Sequence, residues 1–371
     1  MKTKFLSSSL FLSIVTLFGI GLVQVYSSSY IFATESFGDG LYFFKRQLIF
    51  TLISAAVLFA TTQVPFEVVR KYSWCIWPAA FVLLCATFIP HVGVRVGGAI
   101  RWIQLPLGIR FEPSEILKIG FSFMFASLVC RHQNFLGQMK WGWIFLMIVA
   151  PLAVLLKQPD FGSFAIILLV GTALLFTFGL NMKWLVLGGL TSLPALYLLV
   201  WHSPYRRARV QAFLDPWSDP GQKGFQVIQS MLSVHSGGLT GQGIGQGQGK
   251  LFFLPEAHTD FTMAVFSEEM GFIGVAMLLA LYGFVVFRGF QIVMKTEDMF
   301  KKTLALGLIL TFAFSVFINV GVVMGLVPTK GLTMPFMSYG GSSLVVLSFL
   351  FGILLNIEMS ESTYSKSSRA F

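Results

Sequence analysis

Ten long apolar runs divide the chain, at about 8–27, 47–64, 73–90, 113–130, 142–157, 162–179, 183–201, 262–287, 303–324 and 339–357. A helix rises 1.5 Å per residue, so about 20 apolar residues cross a hydrocarbon core about 30 Å thick. Inside that core every backbone N–H and C=O needs a partner within the protein, which a helix supplies from its own segment. The pattern predicts an all-α polytopic membrane protein of about ten transmembrane helices, with residues 1–371 as a single membrane domain. Connections such as Asn181-Met182-Lys183 and Gln158-Pro159-Asp160 are short, which predicts antiparallel neighbours in a bundle. One polar interruption is long: residues about 202–261 form a large loop between predicted helices 7 and 8.

Composition agrees and excludes a soluble single-core domain. The chain is 55% hydrophobic and 11% charged, with 40 phenylalanines, more apolar surface than one core hides. The first run follows Lys2 and Lys4 without a convincing small-residue cleavage site, and is read as a retained helix. Cys75, Cys85 and Cys130 all fall within predicted helices, so neither a disulfide framework nor a zinc site is expected. The net charge of +10 points to an anionic partner, for which membrane lipid suffices and nucleic acid is not needed. Counting bases outside the 201–261 stretch leaves 13 on the side of the termini against 7 on the other. Both termini are therefore expected in the cytoplasm and the long loop outside.

Chemistry is sought where charge interrupts the apolar pattern. The long loop ends in Leu254-Pro255-Glu256-Ala257-His258-Thr259-Asp260-Phe261, where Glu256 and Asp260 share a face if the segment is helical. Such a pair either divides acid–base labour or is a solvated acidic loop; the membrane boundary beside Asp260 favours a raised pKa. The Gly/Gln-rich stretch 237–249 before it reads as a flexible linker or as a backbone that approaches a ligand, and its flexibility would let the loop open. Gln226 to Ser236 is amphipathic and is expected in the membrane interface. Glu268 and Glu269, inside the following helix, either pair with a helix base or line a cavity. Glu115 and Lys118 stand at i, i+3 behind Pro113 and either form a salt bridge or, with Arg101, leave Lys118 to bind phosphate. Asp160 is an N-cap or a ligand, and the Pro- and Gly-rich segment 328–343 suits irregular backbone lining a wet cavity. All these clusters fall on the predicted outer side, which implies a polar cavity opening outward.

These residues together resemble the SEDS family (shape, elongation, division and sporulation), which includes FtsW, RodA and SpoVE. The resemblance spans nearly the whole chain. It is carried by Tyr42-Phe43-Phe44-Lys45-Arg46-Gln47, Ala99 to Trp102, Pro113-Ser114-Glu115 with Lys118, Gln158-Pro159-Asp160, Phe213-Leu214-Asp215-Pro216, Pro255 to Phe261 and Pro335 to Ser343. The first of these is more similar to the division members than to the elongation members. Glu112 stands where the family commonly has Gln, which adds a negative charge near the proposed phosphate site, and Phe161-Gly162-Ser163 departs mildly from its pattern.

The resemblance implies a peptidoglycan glycosyltransferase that polymerises lipid II beside a class B penicillin-binding protein and other division proteins, in the bacterial cytoplasmic membrane at the septum. Asp260 would be the general base, with Glu256 beside it. Arg101, Lys118, Arg206 and Arg209 would hold the pyrophosphate. Glu115, Gln158, Asp160, His258, Ser338 and Ser342 would support the site. No metal cage is legible, though a divalent cation such as Mg2+ would suit a pyrophosphate leaving group. Two other readings stay open: a lipid II flippase, which needs cavity charge but no base, and a non-catalytic scaffold that activates the penicillin-binding protein.

Overall fold

The computed structural model describes residues 4–96, 99–131, 141–202, 204–221, 224–249, 254, 256–328 and 331–367. Its helices are α1 (Ser9–Phe37), α2 (Tyr42–Gln63), α3 (Phe66–Ala86), α4 (Pro113–Arg131), α5 (Trp141–Lys157), α6 (Phe161–Thr177) and α7 (Met182–Trp201). After these come the loop helices α8 (Pro204–Leu214) and α9 (Phe225–Ser236), then α10 (Thr262–Lys295), α11 (Met299–Val323) and α12 (Gly341–Ser367). Among the described residues, α1 to α4 and α10 to α12 are long and apolar enough to cross a membrane, and α5 and α6 contribute shorter apolar helices. With α7 they occupy the ten expected positions.

Local chemistry sets the ends. Ser8 caps α1 by accepting from the Leu10 N–H, and Asp298 caps α11 by accepting from that of Lys301. Pro113 starts α4, where a missing N–H costs little. Several helices outrun the apolar windows: α1 continues to Phe37 and α12 to Ser367, while α3 begins at Phe66. A helix has no reason to stop where the hydrocarbon does, so polar turns extend it into the headgroups. The centre is built by α4, α11 and α12, whose Leu117, Phe121, Leu308, Phe312, Leu350 and Phe351 are buried.

Two features were not expected. A small antiparallel sheet, β1 (Gly93–Val96), β2 (Ala99–Gln104) and β3 (Arg110–Phe111), sits between α3 and α4 in the order β1-β2-β3. Ala99, Arg101 and Ile103 alternate onto its buried face, the period of two that a strand imposes. The glycine-rich segment 237–249 is also no free linker. It docks on the first turns of α10, and the Gln248 and Gly249 amides donate to the Glu268 carboxylate at 2.7 and 3.0 Å. Glu268 thus accepts from backbone amides, and Glu269 accepts from Ser27 Oγ at 2.6 Å. The apolar side of α9 packs on protein instead of lying free in the interface: Val227 and Ile228 are buried, and Ser230 Oγ donates to Val323 O on α11.

Candidate active site

Antiparallel alternation brings the ends of α3, α5, α7 and α11 and the starts of α4, α6, α10 and α12 to one end of the bundle. Arg101, from the buried face of β2, reaches the corner between α5 and α6 there. Its Nη2 donates to Pro159 O, its Nε to Gln158 O at 3.5 Å, and its Nη1 lies 4.0 Å from Asp160 Oδ1. Gln158 is buried and ties the corner to α3 through Leu84 O and Thr87 Oγ1, at 3.2 and 2.6 Å. Asp160 Oδ1 caps α6 by accepting from Ser163 N, while its buried Oδ2 has no hydrogen-bond partner among the described residues. The same oxygen, Oδ1, thus serves both the helix cap and the approach of Arg101.

Asp260 arrives from the opposite direction. Residues 256–261 form a turn in which Glu256 O accepts from the amides of Thr259, Asp260 and Phe261, so the expected shared helical face is absent. Glu256 is exposed and its carboxylate accepts from Thr259 Oγ1 at 2.9 Å. Gly331 lies between the two functional groups: a Cβ there would stand 2.8 Å from Arg101 Nη1 and 3.5 Å from Asp260 Oδ2. A side chain here would crowd the guanidinium, while the carboxylate would stand at ordinary contact distance, so the glycine leaves Arg101 its place beside Asp260. Burial pushes the Asp260 carboxyl up to about 7, reinforced by the negative charge of Glu256 and opposed by Arg101 and Arg209.

Asn319, in the last turns of α11, was not anticipated. Its buried Nδ2 donates to Leu332 O at 2.6 Å and to Asp260 O at 3.3 Å, so one amide fixes both sides of the Gly331 gap. A lone Asn in an apolar run was the available signal.

Other expected residues have structural tasks. Lys118 Nζ is 2.8 Å from Glu115 Oε2, both buried in α4, beside a cavity of about 10 Å³ lined also by Thr311, Ser315, Thr333 and Ser343, room for about one water. Lys118 is thus paired with its neighbour and lines this cavity. His258 is held below its ordinary pKa by burial and packs with Phe32, Phe43 and Tyr339, while its carbonyl accepts from Tyr339 N at 2.9 Å. It fastens the Asp260 turn to α1, α2 and the segment before α12. Ser338 Oγ accepts from Met334 N, and Ser342 Oγ donates to Arg110 O and accepts from Glu112 N, joining α12 to β3.

Glu112 is pushed up by burial and by the negative charges of Asp160 and Glu115, against the pull of Lys118 and Arg101. Gly97, Gly98, Lys223, Lys250, Pro255, Thr329 and Lys330 lie outside the described residues, as does the side chain of Arg206. Among the described residues no group of three or more His, Cys, Asp or Glu side chains is placed to hold a metal ion.

The site and its bundle have relatives. The family model described as "Cell cycle protein", of FtsW, RodA and SpoVE, matches residues 8–363. The "Probable peptidoglycan glycosyltransferase FtsW" of Trichlorobacter lovleyi is 41% identical over 350 residues, covering 94% of this chain and 92% of its own. "Stage V sporulation protein E" of Bacillus subtilis is 37% identical over 361 residues, covering 96% and 98%. A solved structure described as "Structural coordination of polymerization and crosslinking by a peptidoglycan synthase complex" superposes with a TM-score of 0.78 at 26% identity, over 95% of this chain and 97% of that one. The rod shape determining protein RodA of Thermus thermophilus gives a TM-score of 0.70 at 25% identity, over 95% and 96%. With near-complete coverage, a shared bundle and the matching motifs gathered at one of its ends, this chain belongs to the FtsW, RodA and SpoVE family of cell cycle proteins.

Proposed function

We propose that this protein is a peptidoglycan glycosyltransferase that polymerises lipid II into β-1,4 glycan strands, with Asp260 as general base. The observation that carries the proposal is a carboxyl pushed up to about 7 that faces a buried guanidinium across a glycine gap. A base with a pKa near the working pH both ionises and accepts a proton effectively. The names of relatives at 41% identity support the same activity.

The acceptor sugar loses its 4-hydroxyl proton to Asp260 as that oxygen attacks the anomeric carbon of the donor. The new C–O bond forms as the bond to the lipid pyrophosphate breaks, and the electron pair leaves on phosphate. Direct displacement converts an α-linked donor into a β-linked product. The leaving group is a stable dianion-like species, so the site needs positive potential more than a strong acid. Arg101 supplies it directly. Arg209 acts on Asp260 by charge and extends the positive field.

One relative belongs to a synthase complex that couples polymerization to crosslinking, which supports a crosslinking partner for this chain, expected to be a class B penicillin-binding protein among other division proteins. We place the site at the outer face of the bacterial cytoplasmic membrane, with both termini in the cytoplasm and the protein at the septum. Arg70, Lys71, Arg288, Lys295 and Lys301 lie toward the end opposite the site, which supports that orientation.

The test is to supply lipid II to the protein co-purified with its penicillin-binding partner and analyse the product. Glycan strands with β-1,4 linkages are expected. Lipid transfer across a bilayer with no polymer would instead favour transport.

A further inference from the structure

Helix α10 is broken at Gly271, whose φ of 62° and ψ of −170° belong to a region open essentially to glycine. In an unbroken helix the Phe272 N–H would donate to Glu268 O and the Ile273 N–H to Glu269 O. The segment 237–249 takes up all four groups instead. Phe272 N–H donates to Gly238 O at 2.9 Å and Ile273 N–H to Leu239 O at 3.1 Å, while Glu268 O and Glu269 O accept from the amides of Gln242 and Gly243 at 3.0 Å each. The segment is spliced into the helix like a strap through a buckle.

The fit leaves no room for side chains at the crossing. Gly241 adopts φ 79°, a Cβ on it would lie 2.2 Å from Glu269 O, and a Cβ on Gly271 would lie 2.2 Å from Gly241 N. The far end of the strap is anchored by the Glu268 carboxylate, which accepts from the Gln248 and Gly249 amides. Withdrawal of the strap replaces four strap–helix bonds by two within the helix and turns the four strap groups to water, and because exchanging a protein partner for water costs only a small net free energy per bond, both arrangements stay within reach. Such an element has two discrete arrangements rather than a continuum.

The consequence falls on Asp260. Thr262 to Met270 form a lever about 14 Å long between the break and the turn that carries this carboxylate. A change of about 20° at the break moves the tip of that lever by about 5 Å. A misplacement of about 1 Å is enough to cost about 100-fold in rate.

We infer that insertion of the strap at Gly271, anchored by Glu268, positions Asp260 opposite Arg101, and that withdrawal of the strap reseals α10 and swings Asp260 out of place. Glu268 and Gly271 are thus positioning residues for the reaction proposed above, on which this inference rests.

The test compares wild type with Gly271→Ala, Glu268→Ala and Glu268→Gln, reading hydrogen exchange of the 237–249 amides in the purified full-length protein and polymerisation kinetics with lipid II. Alanine at 271 favours the unbroken helix. Strap exchange faster by about 10-fold or more, with kcat lower by about 100-fold and KM changed by less than about threefold, is expected for the two alanine variants. Glu268→Gln keeps an acceptor oxygen and is expected to recover part of both. Unchanged strap exchange in Gly271→Ala and Glu268→Ala overturns the splice, and faster exchange with undiminished kcat overturns its role in positioning Asp260. Exchange is read without substrate, so the two readings fail separately: strap exchange that responds as expected while the wild-type protein itself makes no polymer overturns the proposed reaction and leaves the splice standing.

Discussion

Asp260 is under opposed influences: burial and Glu256 hold its proton, while Arg101 and Arg209 draw it away. A carboxylate acts as base only when ionised, so kcat/KM is expected to rise with pH through an apparent pKa near 7. The charge of Glu256 favours the protonated acid, so Glu256→Gln is expected to move that limb to lower pH. A limb that stays in place, measured over pH 5 to about 9, would remove Glu256 from the electrostatics of the base. Asn319 makes a different contribution, since its one amide holds the carbonyls of Asp260 and Leu332. Asn319→Leu keeps the volume but frees both carbonyls, and is expected to lower kcat by about 10- to 100-fold with KM for lipid II little changed. Loss in KM alone would show that Asn319 shapes substrate binding instead. Asp260, Arg101 and Asp160 were legible as charges at the edges of apolar runs. Gly331 was not, because its importance lies in which distant segments it lets meet; Asn319 stood out as a lone amide in an apolar run, yet nothing local says which carbonyls it joins.

At the scale of elements, apolar runs revealed the spans because one rule, satisfaction of the backbone in lipid, governs them all. Helix ends were read less well, since the headgroup zone admits polar helical turns such as those of α1 beyond residue 27. The sheet bearing Arg101 escaped because its strands have only four, six and two residues, too short for alternation to stand out. The strap was misread for a physical reason as well. Composition marks glycine as flexible, yet glycine is also what close backbone contact requires, and only tertiary structure decides between them. The segment after α11 shows the same principle at Gly331. A methyl group there meets Arg101 Nη1 at 2.8 Å, so Gly331→Ala is expected to push the guanidinium aside and reduce kcat/KM by about 10-fold or more. Wild-type kinetics in Gly331→Ala would show that Arg101 and Asp260 do not act across this gap.

The whole molecule separates chemistry from fastening. The site gathers at one end of the bundle. At the other end Arg288 pairs with Glu358 at 2.7 Å, Ser8 donates to the same carboxylate, Lys301 reaches Glu361, and Arg70 pairs with Asp298. These contacts tie α12 to α1, α10 and α11, and α3 to the turn before α11. Arg288→Ala is therefore expected to lower Tm by a few degrees in detergent while leaving kcat within about twofold, and a large loss of kcat would mean that the two ends are coupled. The central claim concerns the site end and is tested most directly by the rate of lipid II polymerisation by Asp260→Asn against wild type, at matched folding and complex yield. A loss of about 100- to 10,000-fold is expected when a general base becomes a neutral amide of the same shape. Polymerisation at the wild-type rate would contradict it.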